Sequence, residues 1–243
     1  MNYRESSKIL TLYTREFGKQ SVLAKGVRGP KSRLAGATEP LNYLEAVFYK
    51  KENRDLQLLS ECDVLRSWRK LTESLEKMAP AMAIAELTNA VSHDEECNIR
   101  QFELLVACLD AVNDASNNAR NALYLFEVRL LDILGFRPDF LVCGSCGSEI
   151  GNEQQQMLAV DPARGGLFCG ACSRTGRGTL RIAQGTANVL RRMQGATDFS
   201  PVMRIALPAR MRNEIDGVLR LFLLSHVEGL KGLKSESVFA AMS

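Results

Sequence analysis

Two pairs of cysteines, Cys143-Gly-Ser-Cys146 and Cys169-Gly-Ala-Cys172, constrain this chain more than any other feature. A Cys-x-x-Cys turn brings two thiolates to one ion, and two such turns supply the four sulfurs of a closed tetrahedral zinc site. The 22 residues between the pairs exceed the usual ribbon spacing, but a flexible connection absorbs extra residues at small entropic cost. Buried structural thiols, a redox dithiol and an iron–sulfur cluster are the competing chemistries. Glycine beside each pair disfavours a packed core element, no βαβ pattern surrounds the motif, and ferredoxin spacings are tighter. The spacing therefore favours one structural zinc on Cys143, Cys146, Cys169 and Cys172, with the other three chemistries still open. Cys62, Cys97 and Cys108 stand alone and read as ordinary core or surface thiols. Seven cysteines without a signal-peptide pattern predict a reducing, cytoplasmic setting rather than a disulfide framework.

The charge is segmental. Residues 1–60 hold 11 Lys/Arg against 6 Asp/Glu, residues 61–140 hold 8 against 14, and residues 141–243 hold 12 against 8. An acidic middle between two basic ends predicts a modular protein with a polyanionic partner. No apolar run reaches the length of a membrane span, so no membrane partner is expected.

Short β-prone runs dominate the first sixty residues. Lys8–Thr14 and Gln20–Ala24 are joined by Phe17-Gly18-Lys19, a tight hairpin connection, and Leu41–Tyr49 and Leu56–Ser60 follow around a polar turn. Such strands predict a small barrel over residues 1–61. From about residue 62 the apolar period becomes helical. Pro80 reads as a first helical position, Phe102, Leu105 and Leu109 recur at helical spacing, and Leu123, Phe126, Leu130 and Leu134 line one face of a helix capped by Gly135. The cysteine module over 140–180 then interrupts a helical domain whose parts are 62–139 and 181–243, the latter carrying the stripe Ile215, Val218, Leu219 and Phe222. The fold class expected is α+β.

The residues offer little to an enzyme. His93 and His226 are the only imidazoles, one in an acidic turn and one near a helix end. No phosphate-binding glycine loop of either common type appears, and four cysteines close a zinc sphere to substrate. No catalysis is expected, and a zinc-dependent nucleic-acid enzyme is the least favoured reading.

Nucleic acid is the better match. The segment 25–33 carries Lys25, Arg28, Lys31 and Arg33 with two glycines, a proline and no acid, so cations and backbone N–H groups can approach phosphates together. Tyr13, Phe17, Tyr43, Phe48 and Tyr49 interleave with the strands; alternation puts Tyr43 and Tyr49 on one face and Phe48 in the core. A merely solvated loop and core aromatics are the plain alternatives. Arg164, Arg174, Arg177, Arg181, Arg191 and Arg192 offer a second basic track near the cysteines, or simply brace the helices.

Several stretches together resemble the RecO family of bacterial DNA repair proteins. They are Arg4-Glu-Ser-Ser-Lys-Ile-Leu10, Thr14-Arg-Glu-Phe-Gly-Lys19, Ala24-Lys-Gly-Val-Arg28, Lys31-Ser-Arg-Leu-Ala-Gly36, Phe126 through Pro138 with the cysteine pairs, and Leu233-Lys234-Ser235. The resemblance implies an N-terminal OB-fold β-barrel and an α-helical domain with an inserted four-cysteine zinc module. It also implies a nucleoid-associated recombination mediator that binds single- and double-stranded DNA, anneals complementary strands without ATP, and with RecR helps replace SSB by RecA. Lys25, Arg28, Lys31 and Arg33 would be its DNA contacts. One departure is expected to matter: the family's extra apolar strand ahead of Arg4 is missing here, which would leave a sheet edge unpaired. The rival reading is a zinc-ribbon adaptor that assembles protein partners and binds little DNA itself.

Overall fold

A computed structural model describes residues 2–3, 7–27, 32, 34–51, 54–150, 157–175 and 180–235. The chain forms two compact units, Met1–Asn113 and Asp114–Ser243.

The first unit is built on five strands: β1 (Asn2–Tyr3), β2 (Ser7–Thr14), β3 (Gly18–Ala24), β4 (Asn42–Tyr49) and β5 (Gln57–Ser67). They lie in the order β1-β2-β3-β5-β4, antiparallel except for β3 beside β5, the arrangement of an OB-fold sheet. The β2–β3 hairpin closes at Gly18, whose φ of 63° is the left-handed turn that glycine permits. A side chain there would also collide with the Glu96 carbonyl, 2.0 Å from an ideal Cβ. Alternation along β3 sends Gln20, Val22 and Ala24 inward, where Leu59, Cys62, Val27 and Ala37 complete the core. Asn2 and Tyr3 pair with Lys8 and Ser7, so part of the outer edge of β2 is covered.

Two expectations need correction here. Helical period does not begin near residue 62, because β5 runs on to Ser67 opposite β4. Two register shifts in β4, at Tyr43/Leu44 and Val47/Phe48, also break strict alternation. Phe48 packs on the core as expected, but Tyr43 is half-buried against Trp68 while Tyr49 is exposed.

Helices α1 (Leu75–Val91) and α2 (Ile99–Asp114) follow. Pro80 lies inside α1 rather than at its first position; the helix starts earlier, where Lys77 and Met78 N–H groups bond the Ser74 carbonyl. The ring is buried, so the lost intrahelical bond is offset by packing. The acidic middle is used internally: Lys19–Asp94 and Lys50–Glu95 pair at 3.1 Å, Arg15–Glu103 at 3.3 Å, and Arg66 pairs with Asp110.

In the second unit α3 (Arg120–Ile133) is the central element. Every residue from Asn121 to Val128 is buried, so the helix is not the one-faced stripe that its leucines suggest. Helices α4 (Gln184–Gly195), α5 (Ser200–Met203) and α6 (Ala209–His226) pack in this unit, and the Asn121 amide donates to the Val202 and Ile205 carbonyls at 2.9 Å. The end of α3 is as expected: Gly135 has φ 84°, its N–H reaches the Asp132 carbonyl, and Phe136 N–H reaches Leu131. The predicted stripe of α6, Ile215, Val218, Leu219 and Phe222, is fully buried.

A second sheet carries the cysteines. Its strands β6 (Asp139–Cys143), β7 (Met157–Asp161), β8 (Gly166–Phe168) and β9 (Leu180–Ala183) lie in the order β6-β8-β7-β9.

Candidate functional site

Both cysteine pairs sit on tight turns at the end of this second sheet. Cys143 closes β6; the Val142–Glu149 bridge and the Ile150 N–H to Leu141 carbonyl bond form a small hairpin whose tip carries Cys146. Within the tip, Gly147 donates to the Cys143 carbonyl and Cys143 to the Ser148 carbonyl, both at 2.9 Å. Cys169 follows β8, and its carbonyl accepts from Cys172 and Ser173. The turns meet because Gly144 lies against the Phe168 ring, 2.9 Å from where a Cβ would stand. Phe168 and Ala159 then wall the inner side of the cluster.

All four Sγ atoms lie within 4.8 Å of one another, with Cys146 and Cys169 at 4.0 Å. Four sulfurs held about 2.3 Å from a tetrahedral zinc are about 3.8 Å apart, so the donor set fits such an ion. The electrostatics agree. Burial opposes charge on Cys143, but N–H groups of Cys146, Cys169 and Ser145 outweigh it and bring the thiol down to about 6. The Ser148 hydroxyl, 3.0 Å from Cys146 Sγ, lowers that thiol as well. Crowding by Cys169 and Cys146 pushes Cys172 up to about 12. The cluster resists a full set of negative charges on its own, and a divalent cation removes that cost. Cys143 is buried, Cys146 exposed and the other two intermediate, so one side of the site faces solvent. Cys62 and Cys108 are buried and Cys97 is exposed, none of the three in a disulfide.

Of the basic residues singled out from sequence, Lys25 is exposed just after β3, while Arg28, Lys31 and Arg33 lie outside the described residues. Arg164 places its guanidinium 4.0 Å from the Phe168 ring centroid, beside the cysteine turns. Arg181 and Arg192 are exposed and Arg191 is half-buried; Arg177 and the side chain of Arg174 are outside the described set. His93 is exposed, and His226 stacks on Phe136 at 4.4 Å. Sequence reasoning missed the group around Trp68, whose indole N–H donates to Asp110 at 2.7 Å, because its members are 42 residues apart. It also missed Ser148, although its place two residues after Cys146 was a usable signal.

An OB-type sheet with following helices, together with a helical unit bearing a four-cysteine metal-ready turn pair, defines the class of α+β protein to which this chain belongs. The Recombination protein O N-terminal family model matches residues 1–68 and the C-terminal model residues 72–236, and the chain belongs to the RecO family of DNA repair proteins. Similar curated proteins are the DNA repair protein RecO of Symbiobacterium thermophilum, 32% identical over 97% of this chain and 90% of the relative, and that of Salinibacter ruber, 30% identical over 99% and 89%. The corresponding protein of Anaeromyxobacter sp. is 35% identical over 80% and 75%. Among the described residues no helix is long and apolar enough to cross a membrane.

Proposed function

We propose that this chain is a non-enzymatic recombination mediator of the bacterial cytoplasm: it binds single- and double-stranded DNA, anneals complementary strands without ATP, and acts with RecR to replace SSB by RecA. Membership of a DNA repair family supports the setting, and the distribution of charge in the first unit supports the mode. Lys8, Lys19, Lys50, Arg15 and Arg66 are each paired with a carboxylate, whereas Lys25, which leads into the segment with Arg28, Lys31 and Arg33, is exposed and makes no ion pair with any described residue. Cations already neutralised by carboxylates gain little from phosphate, so the 25–33 segment, with its cations and no acid, is the densest charge this unit has to offer. Annealing needs only that phosphate repulsion be reduced while base edges stay free, and no catalytic group is required. The cysteine cluster holds one structural zinc that fixes the second sheet.

The test is fluorescence-monitored annealing of complementary oligonucleotides, bare and SSB-coated, across a salt series without ATP. The expected result is acceleration that fades with salt and is lost, with a flatter salt dependence, when Arg28, Lys31 and Arg33 become alanine. A folded chain that neither binds nor anneals DNA yet captures protein partners would instead support the adaptor reading.

A further inference from the structure

In the first unit a cleft of about 310 Å³ opens between the sheet and α2, near the lower end of the range for small-molecule sites. Its aromatic lining is the half-buried Tyr43 of β4 backed by the buried Phe102 of α2, ring centroids 6.0 Å apart and tilted at 54°. Its floor is Val106 and Ala107, neither of which brings a polar group. At the rim stand two ion pairs, Arg15–Glu103 at 3.3 Å and Arg66–Asp110. Behind Tyr43 lies Trp68, stacked on it at 6.3 Å and 20°, with Arg66 placed 5.8 Å from the Tyr43 centroid.

The charge of the rim selects the ligand. Two guanidiniums and two carboxylates sum to zero, so the cleft itself favours no net charge, and the phosphates flanking a bound base stay outside it. A neutral planar ring with donors and acceptors along its edge meets a matching set, because carboxylates accept from amino groups and guanidiniums donate to ring nitrogens and carbonyl oxygens. Both pairs are solvent-exposed, so the edge of a ligand can reach them while the pairing that neutralises each arginine stays made. We propose that this cleft receives a single unstacked DNA base, stacked against Tyr43 and hydrogen-bonded at its edge by the two arginine–carboxylate pairs. This rests on the DNA-binding reading above and adds a base-holding step to it: one nucleotide is kept out of the stack while the basic segment holds the phosphates.

Trp68 is the chain's sole tryptophan and reports on the cleft through Tyr43. The probes are a mixed-sequence single-stranded dodecamer, an abasic strand of equal length, and free deoxyguanosine. The variant Ala107→Met fills the floor without altering charge, and its melting curve confirms folding. The dodecamer is expected to change Trp68 emission and the abasic strand to leave it unchanged. Ala107→Met removes the change and weakens dodecamer binding about ten-fold, the loss of one stacked base, with an unaltered salt slope. Equal response to the abasic strand, an inert Ala107→Met, or a Trp68 signal obtained only with acidic peptides would overturn the cleft assignment while leaving salt-dependent DNA binding intact. Free deoxyguanosine separates the two claims: it should shift Trp68 emission even in the Arg28→Ala, Lys31→Ala, Arg33→Ala chain, and failure to do so rejects the cleft whatever the basic segment does.

Discussion

The two sheets of this protein differ in strand length and in what their turns carry. The first has strands of seven to eleven residues in its main body, and their inward faces build an apolar core from Val22, Ala24, Leu59 and their neighbours. The second has strands of three to five residues, and at the cysteine end the described residues form a small buried cluster of Cys143, Ala159 and Phe168. Phe140, Leu158, Val160, Leu167 and Ile182 of these strands are nonetheless buried, so apolar packing holds the body of this sheet too, and it is the cysteine turns beyond it, with little buried surface of their own, whose backbone entropy is left uncompensated. The proposed metal ion would tie those turns together. On that proposal the chain would rely on hydrophobic burial in the bodies of both sheets and on ligand bonds only at the cysteine turns.

Removing the ligand bonds is the strongest way to break this comparison. Cys143→Ser should abolish zinc content and cost several kcal/mol of stability in the second sheet, as expected of structural zinc sites. Chelation of the wild-type chain should do the same in a melting experiment, and a melt indifferent to chelator would remove metal from the account. Because Cys172 is pushed up to about 12 in the bare cluster, metal binding must release protons, so zinc retention should fall as pH is lowered.

Leu59→Ala attacks the other sheet. Its side chain is 4% exposed, and its loss should cost about 2–5 kcal/mol by deleting buried methyl groups and leaving a cavity. That loss should be independent of chelator, measured by denaturant titration with and without zinc. Identical chelator dependence for Leu59→Ala and Cys143→Ser would mean that the two sheets share one stability.

A smaller effect tests what anchors the second sheet to its helices. Glu214 of α6 accepts from the Ala183 N–H at 2.9 Å and from the Thr186 hydroxyl, and pairs with Arg210 at 3.1 Å. Burial pushes its carboxyl up, but the Thr186, Ala183 and Arg210 contacts outweigh this and hold it below the ordinary carboxylate range. Its stabilisation is therefore present above the unfolded value, near pH 4, and lost as pH falls through the lower folded value. Glu214→Gln should cost about 1–2 kcal/mol at neutral pH, and the gap from wild type should narrow on acidification. Equal gaps at pH 7 and pH 3 would remove the charge from the explanation. Smallest of all, Lys50→Ala should cost less than about 1 kcal/mol, since its pair with Glu95 is exposed on both sides, and should vanish in high salt.

Legibility followed the range over which each signal acts. The hairpin at Gly18, the end of α3 at Gly135 and the two cysteine turns depend on neighbours within a few residues, and each stood where the sequence placed it. The stripe on α6 was also readable, because one face alone is buried. The α3 stripe misled: leucines at helical spacing mark one face, but a helix surrounded on all sides also buries Asn121, Tyr124 and Glu127. Alternation in β4 failed because two bulges shift its register, and a bulge is set by the partner strand rather than by the residues around it. Pro80 misled in the same way, since packing against its ring outweighs one absent hydrogen bond.

By itself the sequence determined the four-cysteine cluster, most strand and helix segments and the segregation of charge, all properties of spacing and composition. Only the tertiary structure decided that Asp94, Glu95, Glu103 and Asp110 are spent on cations of the sheet, and that Tyr43, Trp68 and Phe102 meet beside a cleft. Those contacts join residues dozens of positions apart, and no local propensity encodes them. They exist because burying the apolar faces of the sheet and of α2 leaves few ways to bring the remaining charges and rings together.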